Sequence, residues 1–157
     1  MNKFTAVLIT VCLFLVGCVS APPKLPLAQA DREKTFTIST TLSKAEEKEK
    51  TLAFLGEYFV SSKSVIQSSE GDMIVGNYRY QIGKLCDRPL ICDLTFIIKC
   101  SDGTIDCKLL FKQMKLLRLN GDEYDVDEYY GSYRNGLLKE YSDFQQKLSA
   151  YLSKPIF

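Results

Sequence analysis

The 157-residue chain contains no histidine. The usual general base and metal ligand is therefore missing, and Ser-His-Asp and Cys-His sites are excluded. No glycine loop of the kind that cradles a phosphate precedes a helix. Charge of one sign is also lacking, with 20 Lys and Arg against 19 Asp and Glu. Such a balance gives no electrostatic reason to expect nucleic acid or a polyanionic surface as partner. There is no internal repeat and no low-complexity segment. Carboxylates in pairs can hydrolyse glycosides, but the acidic residues here crowd into one stretch, Asp122, Glu123, Asp125, Asp127 and Glu128, without a separate acid and nucleophile. That stretch also fails as a calcium loop, because glycine and glutamate do not fall at the sixth and twelfth positions. A solvated loop leading into a helix N-terminus is the expected structure, and the chain is expected to be neither an enzyme nor the holder of a metal or cofactor.

What is present begins at the N-terminus. After Lys3, an apolar run extends from Phe4 to Val16, interrupted only by threonines. It is too short to span a ~30 Å hydrocarbon core, which takes about 20 apolar residues, and it has the layout of a secretory signal. The run closes on Leu15-Val16-Gly17-Cys18, which resembles the lipobox of bacterial lipoprotein precursors. The resemblance implies cleavage between Gly17 and Cys18 and acylation of Cys18. Two or more chains hold a protein firmly on a bilayer, since each buried CH₂ contributes about 0.8 kcal/mol. Val19 stands where an inner-membrane retention signal would place Asp, so the expected location is the outer membrane, facing the periplasm. The alternatives are a plain secretory signal or a membrane helix with an incidental cysteine. Expected organisation is a signal peptide over residues 1–17, a lipidated cysteine with a proline-rich tether over 18–34, and one domain over 35–157. Removing the signal leaves 140 of the 157 residues, enough for a domain to bury its own core.

Within the domain, 35–40 alternates as a strand. Ser43-Lys44-Ala45-Glu46 is a capping box, and the helix it opens is expected to run to about Tyr58. Its apolar face would be Ala45, Leu52, Leu55 and Phe59, its wet face Glu46 to Lys50. Strands follow at 64–69, 73–85, 93–101 and 104–118, with turns at Glu70-Gly71-Asp72 and Asp102-Gly103, so an antiparallel meander is expected. A last helix over 128–152 carries Tyr130, Tyr133, Leu137, Tyr141, Phe144, Leu148 and Tyr151 on one stripe, with Arg134, Lys139, Glu140 and Lys147 facing away. The fold class is α+β: a four- to five-stranded antiparallel sheet, one helix after the first strand and a long C-terminal helix on one face, in the order β-α-β-β-β-β-α.

Six cysteines are present. Cys12 lies in the signal and Cys18 takes lipid, leaving Cys86, Cys92, Cys100 and Cys107, for which three pairings exist. Alternation along the strands puts Cys100 and Cys107 on one side of a hairpin and lets Cys86 face Cys92, predicting the disulfides Cys86–Cys92 and Cys100–Cys107. The alternatives are reduced buried thiols or a swapped connectivity. The absence of CxxC pairs and of histidine argues against zinc.

The element order, together with Ser64-Val65-Ile66-Gln67 and Glu70-Gly71-Asp72-Met73-Ile74-Val75-Gly76, resembles the bacterial DUF4468 type of domain, described as having a TBP-like fold. That resemblance implies no activity or catalytic residue. The functional expectation is a lipid-anchored, non-enzymatic envelope module bound to membrane lipid through Cys18 and to an envelope protein partner. The alternative is capture of a small apolar or glycan ligand in a groove between sheet and helix lined by Tyr130, Tyr133 and Tyr141.

Overall fold

A period of two governs the middle of the chain, and in the computed structural model it produces three long strands joined by two-residue turns. Residues 25–59, 65–126 and 131–154 are described. The strands are β1 Glu33–Ser39, β2 Ile66–Ser68, β3 Met73–Leu85, β4 Arg88–Ser101, β5 Thr104–Leu117 and β6 Glu123–Asp125. The helices are α1 Lys44–Tyr58 and α2 Arg134–Leu152, and a 3-10 turn spans Gln29–Asp31. The sheet runs β1-β5-β4-β3-β2, antiparallel throughout, with β6 on the same edge of β5 as β1. The expected α+β class and meander are therefore present. A sixth strand comes from the acidic stretch read as a loop: Glu123 to Asp125 pair with Leu117 to Lys115.

Register places the apolar residues on one face. Ile74 lies opposite Ile98 and Tyr78 opposite Leu94, Ile98 opposite Cys107 and Phe96 opposite Leu109, Phe36 opposite Cys107. Against that face pack Phe54 and Leu55 of α1 and Leu137, Tyr141, Phe144 and Leu148 of α2. Complete burial of side chains such as Phe96, Phe144 and Leu55 contributes about 1.5–3 kcal/mol each. The other face is polar. Its centre is the ion-paired set Arg79, Asp93, Lys115 and Glu123, with Arg79 Nε 3.0 Å from Asp93 and Lys115 Nζ 3.0 Å from Glu123.

Local chemistry fixes the ends of the elements. The Glu46 carboxylate accepts from the Ser43 backbone N–H at 2.8 Å and from its hydroxyl at 2.7 Å, as the capping box predicts. The Lys44 N–H donates to Asp102 Oδ1 at 2.9 Å, so the β4–β5 turn helps cap α1. In that turn Gly103 has φ +79°, a left-handed conformation that glycine adopts without a Cβ penalty.

Three features depart from expectation. The buried stripe of α1 is Glu47, Thr51, Phe54 and Leu55, while Ala45 is exposed. The wet face thus lost Glu47 to the core, because the stripe is set by where Phe54 and Leu55 meet the sheet. Among described residues α2 begins at Arg134, preceded by a 3-10 turn, and Glu140 is buried rather than outward. The stretch 18–34 was expected to hang free, yet its described part is packed. Leu27 and Asp31 are buried, and Arg134 grips Asp31 through two bonds of 2.6 and 2.8 Å.

Candidate functional site

The two glutamates that chain periodicity would leave in water are both buried. Glu140 belongs to the stripe Leu137, Glu140, Tyr141 and Phe144 on α2, a three-four spacing that carries a carboxylate into the core with its neighbours. Its Oε1 accepts from the Tyr78 hydroxyl at 2.9 Å and the Tyr58 hydroxyl at 3.2 Å. Burial pushes the Glu140 carboxyl above its ordinary range, an effect opposed by these two donors and reinforced by the Asp143 charge. Both phenols are in turn driven far up by burial first and by the Glu140 charge second, so they remain donors at any physiological pH. Glu47 on α1 is its counterpart, accepting from Thr40 Oγ1 at 2.5 Å, with its Oε2 buried and without a hydrogen-bond partner.

Glu140 forms part of the wall of a cleft of about 760 Å³ between the end of α1, the second half of α2 and β3. Tyr58, Tyr78, Tyr80 and Tyr151 line it, together with Phe59, Glu57 and Lys147. The rings form a continuous cluster. Tyr58 meets Phe144 edge-on at 5.3 Å, Phe59 stacks over Phe96 at 5.9 Å, and Phe59 and Tyr78 lie 4.9 Å apart. Lys147 Nζ stands 5.0 Å over the Tyr58 ring, and the Tyr151 hydroxyl donates to Glu57 at 2.8 Å. Such a cleft offers ring faces for stacking, a cation and two carboxylates already engaged by tyrosine hydroxyls.

The residues singled out from sequence do not assemble there. Tyr141 is buried, its hydroxyl 3.4 Å from the Asp31 carbonyl oxygen, so it packs the core instead of lining a groove. Tyr133 is half-buried against Gly83 and donates to the Lys84 carbonyl at 3.1 Å. Tyr130, Gly17 and Cys18 lie outside the described residues. The signal that marked the cleft was Glu140 at a core position of the α2 stripe, together with a second tyrosine set, Tyr58, Tyr78 and Tyr80, read only as strand and helix residues.

The cysteines correct a second expectation. Cys86, Cys92, Cys100 and Cys107 are all free thiols. The β3–β4 turn is only Cys86-Asp87, with Leu85 opposite Arg88, so Cys92 faces Tyr80, six residues before Cys86. At about 3.3 Å per residue that is roughly 20 Å, far outside disulfide reach. Cys100 faces Ile105 and Cys107 faces Ile98, which makes the two thiols diagonal neighbours, a Cα spacing of about 7–8 Å and beyond the range that bridges without backbone movement. Burial raises the thiols of Cys92 and Cys107, and burial followed by the Glu47 charge raises Cys100. Cys86 alone of the four is exposed. Among the described residues no group of three Cys, Asp or Glu could hold a metal ion, and no helix is long and apolar enough to cross a membrane.

No family model and no curated protein matches the sequence. Solved structures do match. A DUF4468 family protein from Bacteroides ovatus superposes with a TM-score of 0.58 at 11% identity, covering 86% of this chain and 94% of that one. A TBP-like protein from Parabacteroides distasonis gives a TM-score of 0.58 at 8% identity, covering 83% and 98%. The chain therefore shares the fold of these DUF4468 and TBP-like structures, as its order of elements implied.

Proposed function

We propose that the protein is a lipid-anchored lipoprotein of the bacterial cell envelope, held by acylated Cys18 with its α+β domain facing the periplasm, acting as a binding or structural module and not as an enzyme. The observation that carries this reading is the sequence Leu15-Val16-Gly17-Cys18 at the close of a 13-residue run from Phe4 to Val16, the length of a signal core and not of a membrane span. Its partner on this reading is another envelope protein, with the outer membrane as the expected site. Cells fed radiolabelled palmitate should label the wild-type chain and not Cys18→Ala. Equal labelling of both, or of neither, refutes the anchor. Crosslinking in intact cells then identifies the partner.

A second reading is favoured by the cleft. Four tyrosines and the Lys147 ammonium surround a volume suited to a small apolar or glycan ligand, since pockets of about 300–1,000 Å³ lined by aromatics are typical ligand sites. A panel of envelope glycans should raise the melting temperature of the wild type and not of Tyr151→Ala; no shift across the panel dismisses it.

A further inference from the structure

The lipid anchor and the packed N-terminal arm together dictate which end of the domain meets the membrane. Leu25 is tied to the domain by its carbonyl oxygen, which accepts from the Gly131 N–H, and its Cβ side lies against Gly131. Six residues farther on, Asp31 is clamped by Arg134. From Cys18 to Leu25 there are seven Cα steps, a span of at most about 25 Å even fully extended. The anchor point is therefore close to Leu25, and Leu25 belongs to one end of the sheet: Gly131 leads into Tyr133, which bonds to Lys84 beside the β3–β4 turn. The β5–β6 turn is at the same end, since Leu90 at the start of β4 pairs with Leu116 at the end of β5.

That end also carries the apolar residues the domain leaves in water. Among described residues the exposed large hydrophobics are Leu25 at 49%, Met73 at 42%, Leu119 at 95% and Tyr124 at 38%; Met73 is at the opposite end of β3, and the other three are here. Leu119 stands at the apex of the β5–β6 turn, next to Arg118, whose guanidinium lies 3.4 Å over the Tyr124 ring. Leucine, tyrosine and arginine in one exposed group suit the boundary between headgroups and acyl chains, where amphipathic rings and long cationic side chains settle. Lys84, Arg88 and Arg118 stand there against Asp87 and Asp122, a surplus of one cation, so the attraction is chiefly apolar and interfacial.

We infer that the end of the sheet bearing the β3–β4 and β5–β6 turns lies on the phospholipid surface into which Cys18 is anchored, with Leu119 dipping into it. The inference rests on the anchoring proposed above. The opposite end, with the β4–β5 turn and the last turn of α2, faces away from the membrane.

The test uses the full acylated chain in vesicles of phosphatidylethanolamine and phosphatidylglycerol, with and without brominated acyl chains. A bimane label is placed by Leu119→Cys or by Asp102→Cys on a Cys86→Ser background; the remaining thiols are buried or acylated. Brominated lipid should quench the label at 119 and leave the label at 102 unchanged. Equal quenching, stronger quenching at 102, or none at either overturns the inference. Palmitate incorporation and co-flotation are measured on the same samples. An unacylated chain that does not float overturns the anchoring reading and this inference with it, whereas an acylated, floating chain with no difference between its ends overturns this inference alone. Asp31→Asn, which loosens the arm, should reduce the quenching at 119 while acylation and flotation stay unchanged. Undiminished quenching shows that the arm does not orient the domain.

Discussion

Gly136 should reverse the usual rule for glycine in a helix. Among the described residues two glycines lie inside α-helices, Gly56 in α1 and Gly136 in α2. In a solvated helix interior, alanine is worth about 1 kcal/mol over glycine, because glycine loses more backbone entropy on folding. At Gly56 nothing stands within 4 Å of where a Cβ would project, and Gly56→Ala should stabilise by up to that amount. At Gly136 the Cβ would stand 2.6 Å from the Ile82 carbonyl oxygen, 3.2 Å from its Cβ and 3.4 Å from its carbonyl carbon. The obstacle is backbone of β3, where the register with β4 already shifts between Gln81 and Gly83, so α2 would have to lift away from the sheet. Overpacking of this kind costs about 1–3 kcal/mol. Net of the helical gain, Gly136→Ala should destabilise by about 1 kcal/mol. Urea unfolding of both variants should thus give midpoints on opposite sides of the wild type, separated by about 2 kcal/mol, or roughly 6–8 °C in melting temperature at this chain length. A Gly136→Ala protein as stable as Gly56→Ala would refute the close approach of α2 to Ile82.

Glu140, whose carboxyl is raised by burial, is a drain on stability at neutral pH. A raised native value means that stability is fully present below the unfolded carboxyl value of about 4.3 and is lost as pH rises through the native value. Glu140→Gln keeps an acceptor for Tyr58 and Tyr78 and should be at least as stable as wild type at pH 7, its advantage shrinking toward pH 4 in denaturation curves; a constant difference across that range would contradict it. Asp31 runs the other way: the Arg134 hydrogen bonds hold its carboxyl low, so its contribution is present above the unfolded value and disappears as acid protonates it. Amide protection at Asp31 and Arg32, whose N–H groups bond within the arm, should fall below about pH 4 relative to the intrinsic exchange rate at each pH, where ordinary carboxyls titrate, and Asp31→Asn should show that loss already at pH 7. Iodoacetamide should modify Cys86 in the folded domain and spare Cys92, Cys100 and Cys107, and a Cys86–Cys92 link in a non-reduced digest would contradict the register of β3 and β4. Cys86 and Asp87 both have positive φ, 50° and 61°, which asparagine tolerates better than cysteine; Cys86→Asn should raise the melting temperature by a few degrees.

Alternation and capping chemistry are local, and they were legible: the Ser43 box, the strands around Phe96 and Leu109, and the stripe through Leu137, Phe144 and Leu148. Loop length is what alternation leaves open. Any even loop keeps Cys100 and Cys107 on one face, and only the two-residue turn at Asp102-Gly103 displaces them to Ile105 and Ile98. The β3–β4 turn gave no cue because its left-handed positions hold Cys86 and Asp87 instead of the usual Asn-Gly. Glu47 and Glu140 were misplaced for a different reason. Charge argues for water, but a stripe is positioned by its largest members, and Phe54 and Phe144 bring their neighbours inward wherever a hydroxyl can satisfy the carboxylate. The cleft was hidden by the same substitution of partners, since its tyrosines come from three elements, α1, β3 and α2, and its Glu140 from a face counted as wet.

The strand order also dictates a sequence of assembly. β1 lies beside β5, with Phe36 opposite Cys107 and Glu33 opposite Leu110, so β1 leaves the ribosome about seventy residues ahead of its partner. β3, β4 and β5 can zip together through two tight turns as they emerge, whereas β1 can pair only once β5 has emerged, and the arm before it can be seated only once Gly131 and Arg134, which hold it, exist. Closing so large a loop costs entropy that only late contacts repay. The N-terminal segment is thus the last piece to dock, and until then it is free to be bound, cut or modified by whatever acts on nascent chains.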